Sequence, residues 1–419
     1  GLDKDSAGWA LGQLSGNWNA SVLSSVWEDS RFVREAVLRR AMASPDHGPV
    51  RLRVTAVPSV LVSGTVASGR AGAAAPHAGP ASSPSFTGHD TLRPWVELFH
   101  SNGQRGEFNA VPGDTRRIDG LVLGAALVAK TYWHVGAMLG VQRSRLRRSQ
   151  ATADAEIETA HVGAYWAGHV PGLNLALGAV YSLHRLTQHR QVLADALKAR
   201  HRGQTTQIFA EVAWPLYETA LDAPTPTSTV TPGSTSGSTA SSGPAVSPTA
   251  ITTATAMRSA SPSPTSTSTT GSGARFALMP FAQLAWVRTR FNGYTESGGS
   301  AALNVRPAAI AGWLSTLGLR AETIFAAPAN GVNEARVYAQ TAWHHASKTA
   351  AESTQSFRDS ATQTAFTSHG LPASRGAWSV QVGMQAHLGK AGHIGLGYQG
   401  RFAARSRDQG VAGWAGISF

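Results

Sequence analysis

GVAGWAGISF, residues 410–419, ends the chain, and its alternation decides the fold. Val411, Gly413, Ala415, Ile417 and Phe419 share one face, apolar or without a side chain; Ala412, Trp414, Gly416 and Ser418 form the other. A period of two is the signature of a strand. Chain ends are usually polar and frayed. A strand that carries its apolar face to an aromatic final residue therefore reads as one that is paired along its length and set in apolar surroundings.

Composition points the same way. Charged residues make up 14% of the 419, and Gly is plentiful at 44, against roughly 25% charged in a soluble globular domain. Yet no stretch approaches the ~18 consecutive apolar residues of a membrane helix. A closed membrane barrel reconciles the two facts, because its signal is alternation and not a run. A soluble β-sandwich gives the same alternation, but with the polar row outside and more charge on it. There is no cysteine, which excludes a disulfide framework and any Cys-ligated metal and suits a chain that crosses an oxidising compartment unfolded.

The formal net charge is +12, with Arg outnumbering Lys. Arg143, Arg145, Arg147 and Arg148 form one dense cluster between strand-like segments. The basic residues neither follow one helix face nor interleave with stacking aromatics, so nucleic acid is not read as a partner. Lipid phosphate at an outer surface suits them better, with a plainly solvated loop as the alternative. The chain starts at Gly1 without a signal peptide, which leads us to expect the C-terminal part of a longer precursor.

Four regions differ in pattern. Residues 1–19 are irregular. Residues 20–43 read as one helix, with Val22, Val26, Val33, Val37 and Leu38 at helical spacing, Asn19 or Ser21 available as a cap, and Pro45 as the stop. Residues 44–92 read as a Pro/Ala/Ser/Gly-rich linker. From 93 to 419 the period is two, in twelve segments: 93–101, 116–130, 132–145, 156–169, 173–187, 204–217, 275–291, 309–325, 335–347, 376–388, 392–405 and 408–419. Joins after the second, fourth and tenth segments are tight, whereas many of the others are long and polar, the asymmetry of outer-membrane barrels. Trp95, Trp166, Trp214, Trp286, Trp343, Trp378 and Trp414 near segment ends suggest an aromatic girdle. Residues 218–274, nearly all Ser, Thr, Pro, Ala and Gly, are too polar to fold and fall by parity on the short-turn side.

With these segments in place, the chain resembles a known family. MPFAQLAWVRTRFNGYTESGGSAALNV (279–305) and TLGLRAE (316–322) are similar to the C-terminal translocator of autotransporters, the type V secretion proteins. RIDGLVLGAAL (117–127), GAVYSLHRL (178–186), QIFAEVAW (207–214), AQTAWHH (339–345), LGYQGRF (396–402) and the terminal Phe419 add to the likeness, and EDSRFVREAVLRR (28–40) resembles the pore segment of subtilase-type members. The resemblance implies a 12-stranded antiparallel outer-membrane β-barrel with an N-terminal α-helix in its lumen, in a Gram-negative bacterium. It implies a barrel that carries its own N-terminal passenger to the cell surface and anchors it. The expected partners are that passenger, the barrel-insertion machinery, which would read Ile417 and Phe419 as an assembly signal, periplasmic chaperones, and lipid or lipopolysaccharide. A helix of about 24 residues spans roughly 36 Å, enough to traverse such a pore.

Sites are sparse. There is no Gly-rich phosphate loop, HExxH or nucleophile elbow, so neither enzyme nor cofactor is read. His344 and His345 are adjacent, but strand neighbours point to opposite faces, so no metal site is read. Glu97, Glu211 and Glu322 fall on inward-facing positions. Either they balance Arg320 or Arg401 in a wet lumen, or they receive the helix arginines Arg31, Arg34, Arg39 and Arg40. Asn19 reads as a helix cap; the resemblance adds that some members cleave themselves at an Asn in this region, which makes Asn19-Ala20 a candidate junction. A free-standing porin-like barrel, an outer-membrane enzyme and a soluble adhesive β-domain are the competing readings.

Overall fold

The computed structural model describes residues 12–42, 91–130, 133–148, 153–170, 172–221, 274–329, 332–362, 364–388 and 392–417. The linker up to residue 90, most of the 218–274 segment, the first residues of the chain and Phe419 lie outside the described residues, and the last two linker positions already belong to the first strand.

Twelve long strands alternate in direction and close on themselves. They are β1 (Thr91–Arg105), β2 (Asp114–Lys130), β3 (Trp133–Arg148), β4 (Ala153–Val170), β5 (Leu173–Val192) and β6 (Asp195–Ala213), which the short β7 (Tyr217–Leu221) continues beside the same partner. The second half holds β8 (Ala274–Phe291), then short β9 (Tyr294–Thr295) and β10 (Leu303–Val305), then β11 (Ala308–Ala329) and β12 (Val332–Ala346). Short β13 (Glu352–Phe357) and β14 (Phe366–His369) precede β15 (Gly376–Leu388), β16 (Gly392–Ala403) and β17 (Ser406–Ile417). Closure is made by β1 against β17, in unbroken register from Trp95↔Gly416 to Arg105↔Ser406.

The opening stretch thus has a partner on each edge, β1 and β16. Val411 and Ile417 stand exposed on the outer wall at 48% and 49%. Trp414 turns inward and donates its indole N–H to Gln385 Oε1 at 2.9 Å. Leu98, Leu123, Leu139, Val162, Leu317, Met384 and Leu396 continue the exposed apolar band, an inversion of soluble patterning that only a lipid surround stabilises. Trp313, Trp343 and Trp378 are exposed on the same wall, and Trp343 meets Trp378 edge-on at 5.2 Å. Trp95 and Trp414, expected in the girdle, belong to the lumen. Each ring covers a glycine of the adjacent strand, Gly124 and Gly395, where any Cβ would strike the indole.

Two expectations are corrected. The long polar joins after the third and fifth segments are mostly strand: β3 runs to Arg148, β4 starts at Ala153, and Leu193 and Ala194 alone separate β5 from β6. The alternation continues there with its sense reversed: Leu146, Ala153, Ala155, Leu197 and Ala199 are buried inward while Arg147, Asp154, Glu158, Lys198 and Arg200 face out, so no outward apolar row marks it. The joins at 291–308 and 346–376 are not open loops but pair into a second sheet, β14-β13-β10-β9. It belongs to the same long-loop end of the barrel.

Inside runs helix α1 (Asn17–Met42), three residues longer at its start than its hydrophobic spacing suggests. Gly16, at φ +61°, turns the chain into it, and Asn19 N–H bonds Gly16 O at 3.1 Å. Neither Asn19 nor Ser21 caps the helix: both lie within it. Only Glu35, Arg39, Arg40 and Met42 are not buried. A helix buried all round is surrounded by protein on every side.

Candidate functional site: the helix-filled lumen

The helix runs down the barrel, its first turn at the long-loop end and its last at the short-turn end. Three levels of contact hold it.

At the long-loop end the second sheet and the strand extensions grip residues 13–25 through polar groups. Gln355, on β13, receives the Asn19 side-chain N–H at 3.1 Å and donates to Ser15 O at 2.6 Å. Ser21 Oγ and Ser24 Oγ accept the backbone N–H groups of Leu371 and Ala351 at 2.8 and 2.9 Å. The same hydroxyls donate back to Asn17 O and Ala20 O within the helix. Serine satisfies both sides at once, which an apolar residue here could not do. Arg148 donates to Asn17 Oδ1 at 2.7 Å, and Arg190 to Gln13 O at 2.6 Å while pairing with Glu296. Arg358 reaches Glu296 O and Gly299 O, tying the two long joins together. Its bond to Asp359, outside the membrane band, draws that carboxyl below its ordinary range.

At mid-height sits a buried ionic cluster. Arg116 of β2 bonds Asp29 of the helix and Asp408 of β17, the latter at 2.6 Å, with Glu28 at 3.6 Å. Arg31 lies 3.0 Å from Asp408 and 3.7 Å from Glu28, and Arg401 lies 3.8 Å from Glu28. Above it, Arg105 bonds Asp114 and Ser25 Oγ. The cluster has as many guanidinium groups as carboxylates, so the charges are offset where water is excluded. Around it Phe32 stacks on Phe99 at 5.7 Å, and Trp27 Nε1 donates to Val287 O at 3.2 Å.

At the short-turn end Arg39 bonds Glu97, and Arg40 approaches His393 Nε2 at 3.4 Å. Cations in a last turn also complement the helix dipole. Beside this turn a polar cavity of about 100 Å³ separates the helix from β11, β12 and β15, room enough for several waters.

The named residues therefore separate. Arg39 and Glu97 meet. Arg31 finds an acid, Asp408, that the sequence reading did not single out. Arg34 donates to Gln207 Oε1 at 2.9 Å. Glu211 and Glu322 receive no helix arginine: Glu211 takes Arg320 at 3.1 Å and Gln283 at 2.6 Å, and Glu322 takes Arg336 at 2.7 Å. Those contacts stay within the wall. The larger miss is that pairing at mid-height runs both ways: besides Arg31 on Asp408, the helix supplies the acids Glu28 and Asp29 to the wall arginines Arg116 and Arg401. Counting back by twos from Trp414 would have put Asp408 on the inward face. Asn19 makes no bond to an acid among the described residues. His344 turns inward between Thr316 and Ser379, at 2.9 and 2.7 Å, which separates it from His345. Ile417 faces outward.

The chain is similar to known proteins in sequence and in fold. The chain is 23% identical over 321 residues to an extracellular serine protease of Serratia marcescens, a match that takes 76% of this chain but spans only about a quarter, 25%, of that protein. The translocator domain of autotransporter NalP from Neisseria meningitidis shares the fold at a TM-score of 0.52 and 12% identity, over 80% of this chain and 90% of that one. The model of the autotransporter beta-domain matches residues 94–233 and 265–399, which take in nearly the whole closed sheet described above, and the chain therefore belongs to the autotransporter beta-domain family.

Proposed function

We propose that this chain is the outer-membrane translocator that carries an N-terminal passenger to the surface of a Gram-negative cell and holds it there. The observation that carries this is the polarity of α1. Its N-terminal end lies under the second sheet at the long-loop end, and its C-terminal end beside the tight turns. In outer-membrane barrels the longer loops face outward and the short turns the periplasm. Whatever precedes the helix therefore emerges outside, and the anchor is the wall of hydrogen bonds and ion pairs around residues 13–40.

The reading extends to partners by chemistry. A polypeptide attached ahead of residue 12 is the cargo. An exposed apolar wall needs chaperones in the periplasm and a machinery that inserts it, with the β17 end as the part presented. A reporter fused ahead of Gly1 should be cut by protease added to intact cells, while the barrel keeps its folded, heat-modifiable migration. A reporter cut only after the outer membrane is permeabilised, on a folded barrel, would overturn the reading.

A further inference from the structure

The arginine cluster of the sequence has an outer face that the plugged lumen does not use. On adjacent strands β17, β1, β2 and β3 the outward residues fall in aligned rungs. Arg407, Gln104, Thr115 and Arg147 form the upper rung; Gln409, Asn102, Arg117 and Arg145 form the next. Together they border a groove of about 690 Å³. Two rungs further down the same strands carry Leu98 and Val141, exposed at 58% and 57%. A rung is about 7 Å of strand, so the groove sits directly above the apolar band, at headgroup height.

We propose that this groove binds the phosphomonoester headgroup of an outer-leaflet glycolipid, a phosphorylated disaccharide whose acyl chains lie on Leu98 and Val141. This rests on the outer-membrane reading above. Arg407 on β17 and the Arg145–Arg147 column on β3 stand three strand spacings apart, about 14 Å. Gln104, Asn102 and Thr115 lie between them, and Arg117 of β2 stands beside Arg145. One cationic group at each side of a span of neutral donors suits two phosphates carried at opposite ends of a sugar core better than one free ion. Guanidinium forks bind phosphate bidentately. The charge is available: Arg147 and Arg407 form no ion pair among the described residues. Asp119 stands 3.6 Å from Arg117 Nε, and Glu156 is 3.6 Å from Arg145 Nε but already bonded to Arg143. Positive charge outweighs negative on this face.

The full chain in lipid nanodiscs, titrated with a bis-phosphorylated acylated glucosamine disaccharide and read by native mass spectrometry, tests the proposal. Binding should survive excess phosphatidylglycerol and inorganic phosphate, weaken when one phosphate is removed from the glycolipid, and fall tenfold or more in the combined R117Q/R145Q/R147Q/R407Q variant. The matching Arg→Lys variant should retain most of it. R288Q/R290Q, which removes outward arginines of β8, should bind as wild type; folded migration on gels confirms that each variant is intact. Equal loss in R288Q/R290Q would mean an unspecific basic belt and would overturn the site. So would unchanged binding in the fourfold variant, equal binding of phosphatidylglycerol, or complete displacement by inorganic phosphate. The surface exposure of a fused reporter is independent of all these outcomes.

Discussion

Replacing Arg116 tests whether charge holds the helix in the wall. The guanidinium bonds Asp29 and Asp408 and stands 3.6 Å from Glu28, and all four side chains are buried. Arg116→Met keeps the volume and leaves three carboxylates with two guanidinium groups, Arg31 and Arg401. Removing one partner of a buried pair costs about 3–5 kcal/mol, because the remaining charge stays desolvated. With three acids affected, the upper half of that range is expected, a factor of about 10³ in the docked population at 1.4 kcal/mol per tenfold. The cleaner quantity is the coupling between Arg116→Gln and Asp29→Asn, for which close buried pairs give about 1.5–7 kcal/mol. We expect about 2–4 kcal/mol from urea unfolding of the four proteins in lipid vesicles. Arg116→Lys should recover part of the loss, since it keeps the charge but not the fork. A coupling below about 0.5 kcal/mol, the range of exposed pairs, would show that water reaches the cluster and refute the argument.

Removing residues 12–42 should leave a folded barrel with a larger single-channel conductance and a lower unfolding midpoint; unchanged conductance would mean the helix does not fill the lumen. Glu97→Gln should cost less than Arg116→Met, about 1–2 kcal/mol, because Arg39 borders the polar cavity and keeps some water; a larger loss in the same unfolding assay would reverse the ranking of the two levels. Intact-mass spectrometry should find the Asn19–Ala20 bond whole, since the Asn19 amide lies in a helical turn and is held by Gln355. A fragment starting at Ala20 that vanishes in Asn19→Ala would restore the cleavage reading. Ile417→Asp places a charge on the lipid face of the closing strand and should lower the yield of heat-modifiable barrel in the outer membrane; wild-type yield would remove Ile417 from any assembly role.

Where an apolar row alternates with Gly, Gln or Ser, the strands were legible, because lipid outside and a polar lumen inside leave a contrast at every second residue. The barrel and its strand number follow from that contrast, and the helix from the separate spacing of Val22, Val26, Val33, Val37 and Leu38. It fades above the membrane. Gln188 and Arg190 point inward on β5 while His189 points outward, and no hydropathy pattern separates them. The second sheet was hidden because Leu303–Val305 pairs with residues some fifty positions away over only three rungs. Charge partners were the hardest to read. Arg116 and Asp408 are 292 residues apart and meet only after the sheet closes. Which side of a rod-like helix faces which strand is set by its rotation in the pore, a variable that no local spacing records.

The seam between β1 and β17 also determines when the fold can form. Residues 95 and 416 are partners, so the ring is incomplete until the last strand is available. Until then both strands are open edges, and the entropy of closing so long a loop is offset only at the final step. The charged rod inside faces the same deadline. Its guanidinium and carboxylate partners on β2, β16 and β17 sit on both sides of the seam, so its sheath is finished by the same event. The rate at which the final strand docks should set the lifetime of the open sheet, the form most exposed to proteases and to pairing with other chains.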